Sequence, residues 1–298
     1  MDTEAMPSVT IVGPGAIGTT MAAVLHEAGR TPLLCGRTSR DSLTFHEGDR
    51  VITIPGPVRT DPRRIGHAVD LVFLAVKATQ TEAAADWLAA LTGPDTVVCV
   101  LQNGVEQSEK VSPFVPSGRI VPAVVWFPAQ TQTDGSVRLR GDVRLSLQDT
   151  SPSRRIADAL RDTRCVVELA TDFTSVAWRK LLQNAAAGLM ALTHRRSGMF
   201  TRADISGLTL AYLQECLAVA RAEGAELGDE VPQAILDRFL ASPADMGTSI
   251  LADREADRPL EWDTRNGVIA RRGRMRSIPT PISDVLLPLL AAASDGPG

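Results

Sequence analysis

The stretch Ser8-Val9-Thr10-Ile11-Val12-Gly13-Pro14-Gly15-Ala16-Ile17-Gly18 decides the fold, because a β-branched run leads without a break through a Gly-x-Gly-x-x-Gly turn into an amphipathic helix. Each glycine has a different task in such a turn. Gly13 permits the tight bend, Gly15 lets the backbone come close to a pyrophosphate, and Gly18 lets helix and strand pack closely. Pro14, Ala16 and Ile17 fill the remaining positions and open the helix, whose first N–H groups and positive dipole end would face the phosphates. The expectation is a dinucleotide site at the N-terminus.

Working outward, short apolar runs alternate with helical segments. SVTIV is followed by a helix over about residues 16–28, then TPLLC, VDLVFLAV, a helix over about residues 80–91, and TVVCVL. That alternation predicts a parallel sheet with crossover helices, and the nearly continuous apolarity of the runs predicts that both of its faces are covered. Beyond Asn103-Gly104 the segments IVPAVVWF, SVRLRG and VRLSLQ read as antiparallel strands at the edge of the same domain, followed by a helix near 153–162 and a strand at 165–168. From Asp172 onward helical periodicity dominates, over about residues 172–194, 203–227 and 232–240 and again after Asp263 and Pro281. The division is therefore residues 1–170, an α/β dinucleotide-binding domain, and residues 171–298, a mainly α-helical substrate and catalytic domain, with ligands favoured in a cleft between them.

Composition excludes several classes. With 298 residues and 44% hydrophobic content the chain is long enough for two cores, and 31 basic against 35 acidic side chains, net −4, provide no positive field for nucleic acid or an anionic membrane surface. The apolar run 285–293 spans about nine residues, against the ~20 that cross a bilayer. Asp2 and Glu4 near the start do not resemble the basic region of a secretory signal, so a cytoplasmic protein is expected. Cys35, Cys99, Cys165 and Cys216 are scattered and read as reduced, mostly buried thiols; no metal-ligand spacing appears among His, Cys, Asp and Glu. The histidines fall outside every motif, which argues against a histidine acid.

At the end of TPLLC, where a site selective for a free ribose 2′-hydroxyl would carry a carboxylate, the chain has Arg37, 24 residues after Gly13. A guanidinium there pairs with a 2′-phosphate, which points to NADPH; the bland alternative is an exposed loop arginine. Three further segments line up in order: Val76-Lys77-Ala78-Thr79-Gln80, Leu101-Gln102-Asn103-Gly104-Val105, and Trp178-Arg179-Lys180-Leu181 with Asn184. With the glycine turn and the distal Ser249 and Glu261, they resemble the ketopantoate reductase (2-dehydropantoate 2-reductase) family over nearly the whole chain. The resemblance implies a Rossmann-type domain followed by a helical domain, NADPH as hydride donor, and a small 2-oxo acid reduced to an R-alcohol in pantothenate biosynthesis. It places Lys77 and Gln80 near the cofactor, Asn103 against both nicotinamide ribose and substrate, Lys180 as the catalytic lysine, Asn184 and Ser249 on the substrate, and Glu261 as an acid near the lysine.

The chemistry fits those residue types. Hydride addition to a ketone builds charge on oxygen, which a cationic acid such as Lys180 can meet. Positions 180, 184 and 188 share one helix face, so Lys180, Asn184 and Gly188 would line one wall. Taken singly, Lys180 could be a solvated helix residue, Glu261 a surface glutamate and Ser249 a helix serine without a ligand. Gly188 stands where the family commonly carries a second asparagine, and this departure is expected to leave room for a bulkier 2-oxo acid or ketone. A non-catalytic NADP(H)-binding sensor is the reading from another class, disfavoured by Lys180 with Asn184. The oligomeric state stays open, a homodimer among the options.

Overall fold

The computed structural model describes residues 7–296, so Asp2 and Glu4 lie outside it. The chain divides into two compact units: one comprises residues up to Gln102 together with Gln107–Phe173, the other Asn103–Glu106 and the chain from Thr174 onward.

The first unit runs β1 (Val9–Val12), α1 (Ala16–Glu27), β2 (Leu33–Cys35), β3 (Ser42–Glu47), β4 (Arg50–Pro55), β5 (Leu71–Leu74), α2 (Ala85–Leu91) and β6 (Val97–Val100). It continues with α3 (Gln107–Val111), β7 (Ile120–Val125), β8 (Ala129–Thr131), β9 (Val137–Leu139), β10 (Arg144–Gln148), α4 (Ser151–Ala159) and β11 (Val166–Ala170). A seven-stranded sheet has the order β11-β10-β7-β6-β5-β1-β2. Its central strands β5 and β6 are buried at every residue, as a strand covered on both faces must be. On one side α2 places Trp87, Leu88 and Leu91 against Val72, Leu74 and Val98. On the other, α1 buries Met21, Ala22, Val24 and Leu25. Each fully buried Leu or Phe contributes about 1.5–3 kcal/mol, so the two layers fix the sheet firmly. In register, Val12 stands opposite Cys35 and Leu74, and Leu74 opposite Val100, which brings the carboxyl ends of β2, β1, β5 and β6 to one edge.

Two expectations for the strands after Asn103 change. IVPAVV forms β7, parallel to β6, because the crossover between them passes through α3; only its pairing with β10 is antiparallel. SVRLRG supplies β9, which leaves the large sheet for a second one of order β4-β3-β9-β8. Asp134 accepts hydrogen bonds from Ser136 N and Oγ at 2.9 and 2.7 Å, and this turn folds β8 onto β9 while β9 pairs with β3. The small sheet packs over α1.

The second unit is helical: α5 (Phe173–Thr193), α6 (Ala203–Ala222), α7 (Val231–Leu240), α8 (Ser249–Glu255), a π-helical turn (Asp263–Gly267), α9 (Val268–Met275) and α10 (Pro281–Asp295). Helix α6 stops short of the expected 227 because Gly224, at φ +92°, ends it. The core joins α5 to α6, α7 and α9 through Leu182, Met190, Tyr212, Leu213, Leu236 and Ile269. All four cysteines are free and buried, and burial pushes the Cys35 and Cys165 thiols up to about 12. No helix among the described residues is long and apolar enough to cross a membrane.

Candidate active site

The glycine turn has the backbone conformation its spacing suggests. Gly13 has φ +90°, and a Cβ on it would lie 2.6 Å from Val76 Cγ1 and 2.8 Å from Val76 N. A Cβ on Gly18 would lie 2.3 Å from Gly13 O, so neither position tolerates a side chain. Gly15 differs, since a Cβ there would meet nothing within 4 Å: its face is open to an approaching group. Gly13 N donates to Cys35 O at 2.9 Å and Thr19 Oγ1 to Pro14 O at 3.0 Å, which lock the loop to β2 and to α1. The first turn of α1 has no side-chain cap and no acidic residue, so the N–H groups of Ala16 and Ile17 face outward without competition from a carboxylate. These features fit a dinucleotide pyrophosphate.

Around the turn, Val76 packs on Gly13, and Lys77 and Gln80, both half-buried, follow on the 3-10 turn that begins at Ala78. Arg37 is exposed at the end of β2 and makes no hydrogen bond or ion pair with the described residues. Its neighbour Arg40 is engaged elsewhere, donating to Gly135 O at 3.0 Å. The structure adds Arg59, whose N donates to Leu34 O at 2.7 Å and whose O accepts from Gly36 N at 2.9 Å, so that a second exposed arginine runs backbone to backbone with the end of β2. Its distance from Arg37 in sequence leaves no motif by which to find it.

In the second unit the candidates form one hydrogen-bonded chain. Asn184 Nδ2 donates to Asn103 Oδ1 at 3.2 Å, and Asn103 Nδ2 donates to Glu261 Oε2 at 3.2 Å. Arg265 Nη2 donates both to Glu261 Oε2 at 3.2 Å and to Ser249 Oγ at 3.0 Å. Asn103, Asn184, Glu261 and Ser249, which come from four separate parts of the sequence, are thus brought together, and Arg265 is the link between the last two. Ser249 is the exposed end of the chain, while Glu261 and Arg265 are 5% and 2% exposed. Lys180 stands on α5, half-buried, one turn before Asn184 and on the same face.

Local conformation explains how each residue gets there. Gly104 takes φ +108°, and a Cβ on it would lie 3.0 Å from Thr264 O, so the turn that presents Asn103 needs glycine next to it. Glu106 then holds the segment down, accepting from Arg271 Nε and Nη2 at 3.1 and 2.7 Å. The fork raises the Arg271 pKa, chiefly through its hydrogen bonds to Glu106. Glu261 and Arg265 are four apart at the entry to the π-helical turn, a conformation often found at functional sites. That i,i+4 spacing was visible in the sequence, but a glutamate and arginine so placed ordinarily mark a solvated helix face. Burial makes the pair consequential: Arg265 Nε is buried without a partner, a condition that costs about 1–3 kcal/mol and is uncommon away from functional sites.

Gly188 does not leave room. A Cβ there would lie 2.7 Å from Asn266 Nδ2 and 2.9 Å from its Oδ1, so the space that the sequence suggested for a larger substrate is filled. Asn266 is fully buried and donates to Ala185 O and Tyr212 Oη, both at 3.0 Å. Glycine at 188 serves the close packing of α5 on the π-helical turn.

A glycine-turn dinucleotide unit joined to a helical unit that carries a lysine beside a buried amide, carboxylate and guanidinium chain defines an oxidoreductase that uses a nicotinamide cofactor. The profile of the family described as ketopantoate reductase PanE/ApbA matches residues 9–152, and that of its C-terminal part matches residues 172–294. A 2-dehydropantoate 2-reductase of Mycobacterium tuberculosis is 55% identical over 291 residues, covering 97% of this chain and 99% of its own. One from Caulobacter vibrioides is 34% identical over 293 residues, covering 97% and 100%. Among solved structures, a dimeric ketopantoate reductase from Staphylococcus aureus, 28% identical, superposes with a TM-score of 0.89 over 98% of this chain and 100% of its own. The chain belongs to the ketopantoate reductase family.

Proposed function

We propose that the protein reduces 2-dehydropantoate to (R)-pantoate with NADPH, a step of pantothenate biosynthesis carried out in the cytoplasm, as a homodimer like the staphylococcal relative. The observation that carries this reading is the chain from Asn184 through Asn103, Glu261 and Arg265 to Ser249, because it offers amide, carboxylate and hydroxyl groups on the helical unit that also bears Lys180. The 55% identity to a named 2-dehydropantoate 2-reductase supports the same substrate. With the space at Gly188 filled by Asn266, no feature favours a bulkier substrate.

The nicotinamide cofactor supplies the hydride to the ketone carbon. When the cofactor is bound, the Gly13–Gly18 turn and the first N–H groups of α1 would hold its pyrophosphate, Arg37 would pair with a 2′-phosphate, and Lys77 and Gln80 would lie near it. Lys180 Nζ gives its proton to the carbonyl oxygen as negative charge develops there. Asn103 and Asn184 present amides to substrate, and Ser249 presents its hydroxyl to the substrate carboxylate. Glu261 holds Asn103 and Arg265 in place.

The test is NADPH oxidation by the purified protein with 2-dehydropantoate, run beside NADH and a panel of larger 2-oxo acids. Saturable turnover with NADPH preferred is expected. Reduction of another 2-oxo acid in place of 2-dehydropantoate would overturn the substrate, and a preference for NADH would overturn the role of Arg37.

A further inference from the structure

Arg265 is among the largest fully buried side chains of the protein, and it is charged. Its company is unusual. Nη2 bridges Glu261 Oε2 and Ser249 Oγ, Nε has no partner, and the Oγ1 of Thr248, one residue before Ser249, is also buried without a partner. Counting formal charges at neutral pH, Lys180 and Glu261 would cancel, whereas Lys180, Glu261 and Arg265 leave a single positive charge. A site of that charge is complemented by a monoanion.

The hydrogen bond to Ser249 has a second consequence. A hydroxyl has one proton to donate, and when Oγ accepts from a guanidinium that proton must point elsewhere. Ser249 is the exposed member of the chain, so its proton is the one an arriving ligand would meet.

We propose that Arg265 determines specificity for the carboxylate of the 2-oxo acid, supplying the net positive charge of the site and, as a positioning residue, turning the Ser249 hydroxyl into a donor. The inference rests on the reduction assigned under Proposed function and goes one step further, to the recognition of acid over neutral ketone.

The experiment compares the 2-oxo acid with its neutral primary amide in wild type, R265L, R265Q and R265K. R265L and R265Q raise the KM for the acid by roughly tenfold more than the KM for the amide, the scale of a lost charge-assisted contact, so the preference for acid collapses. R265K, which keeps the charge, keeps the preference. R265Q retains a donor to Ser249 and Glu261 and serves should R265L fail to fold. A parallel loss for acid and amide, or a fall in kcat alone, would show Arg265 to be structural and overturn the proposal. If wild type reduces neither compound, the proposed reaction fails by itself. The arginine is then judged by calorimetric binding of the 2-oxo acid to the protein with NADP+: roughly tenfold weaker binding in R265Q is expected, and equal binding overturns the assignment.

Discussion

The nucleotide turn and the polar chain of the helical unit are built on opposite principles. The turn is made of backbone: six consecutive residues, Gly13 to Gly18, whose function lies in the absence of side chains at Gly13 and Gly18 and in the uncapped start of α1. The polar chain is made of side chains contributed by Asn103, Asn184, Ser249, Glu261 and Arg265, none adjacent in sequence. A backbone site is robust to the identity of its neighbours and recognises what all dinucleotides share, whereas a side-chain site is altered by one substitution and can discriminate among substrates. On the proposed reading, binding of a common cofactor and selection of a particular acid are thus separable.

Three substitutions press on that separation. The largest effect is expected for Lys180→Ala, which should lower kcat by about a hundredfold or more while fluorescence titration of NADPH is unchanged; concurrent loss of NADPH binding would show that the two regions do not act independently. Next, Arg37→Ala should weaken NADPH by roughly tenfold, the scale of a contact to phosphate, and leave NADH and the KM for the 2-oxo acid alone. Equal weakening of both cofactors would leave the 2′-phosphate without its assigned partner. The smallest effect belongs to Gly188→Ala, whose methyl meets a side-chain amide that can shift slightly. Overpacking should cost about 1 kcal/mol, seen as a melting temperature lower by a few degrees, with the acid KM little changed. A marked change in substrate range would return position 188 to the substrate pocket.

What could be read from the sequence follows the same division. The strand, turn and helix of residues 8–28 are specified within one short window, so periodicity and glycine spacing suffice. β3 and β4 escape such a reading, although RVITIP alternates as a half-buried strand should. Their place depends on the pairing of β3 with β9, about 90 positions away in the chain, and no local pattern encodes that pairing. Lys180 and Asn184 are visible as a helical pair, but the sequence cannot say that the Glu261-Arg265 pair is buried, because an identical spacing on an exposed helix looks the same. Gly188 was open to the opposite reading from the one observed, since a missing side chain signifies either empty space or a close neighbour, and only the position of Asn266 decides.

The assignment of Asn103–Glu106 to the second unit has a consequence for inheritance and engineering. The chain passes from one unit to the other after Gln102, returns after Glu106, and passes again after Phe173, so no single junction separates the two. A chimera spliced only at the last of these would graft foreign helices onto a borrowed Asn103 and Glu106, and its Asn184, Glu261 and Arg271 counterparts would have to accept partners selected against a different protein. Recombination that preserves the polar chain must exchange the four-residue insert together with the helices, which ties the history of the helical unit to a short stretch embedded in the gene segment for the other.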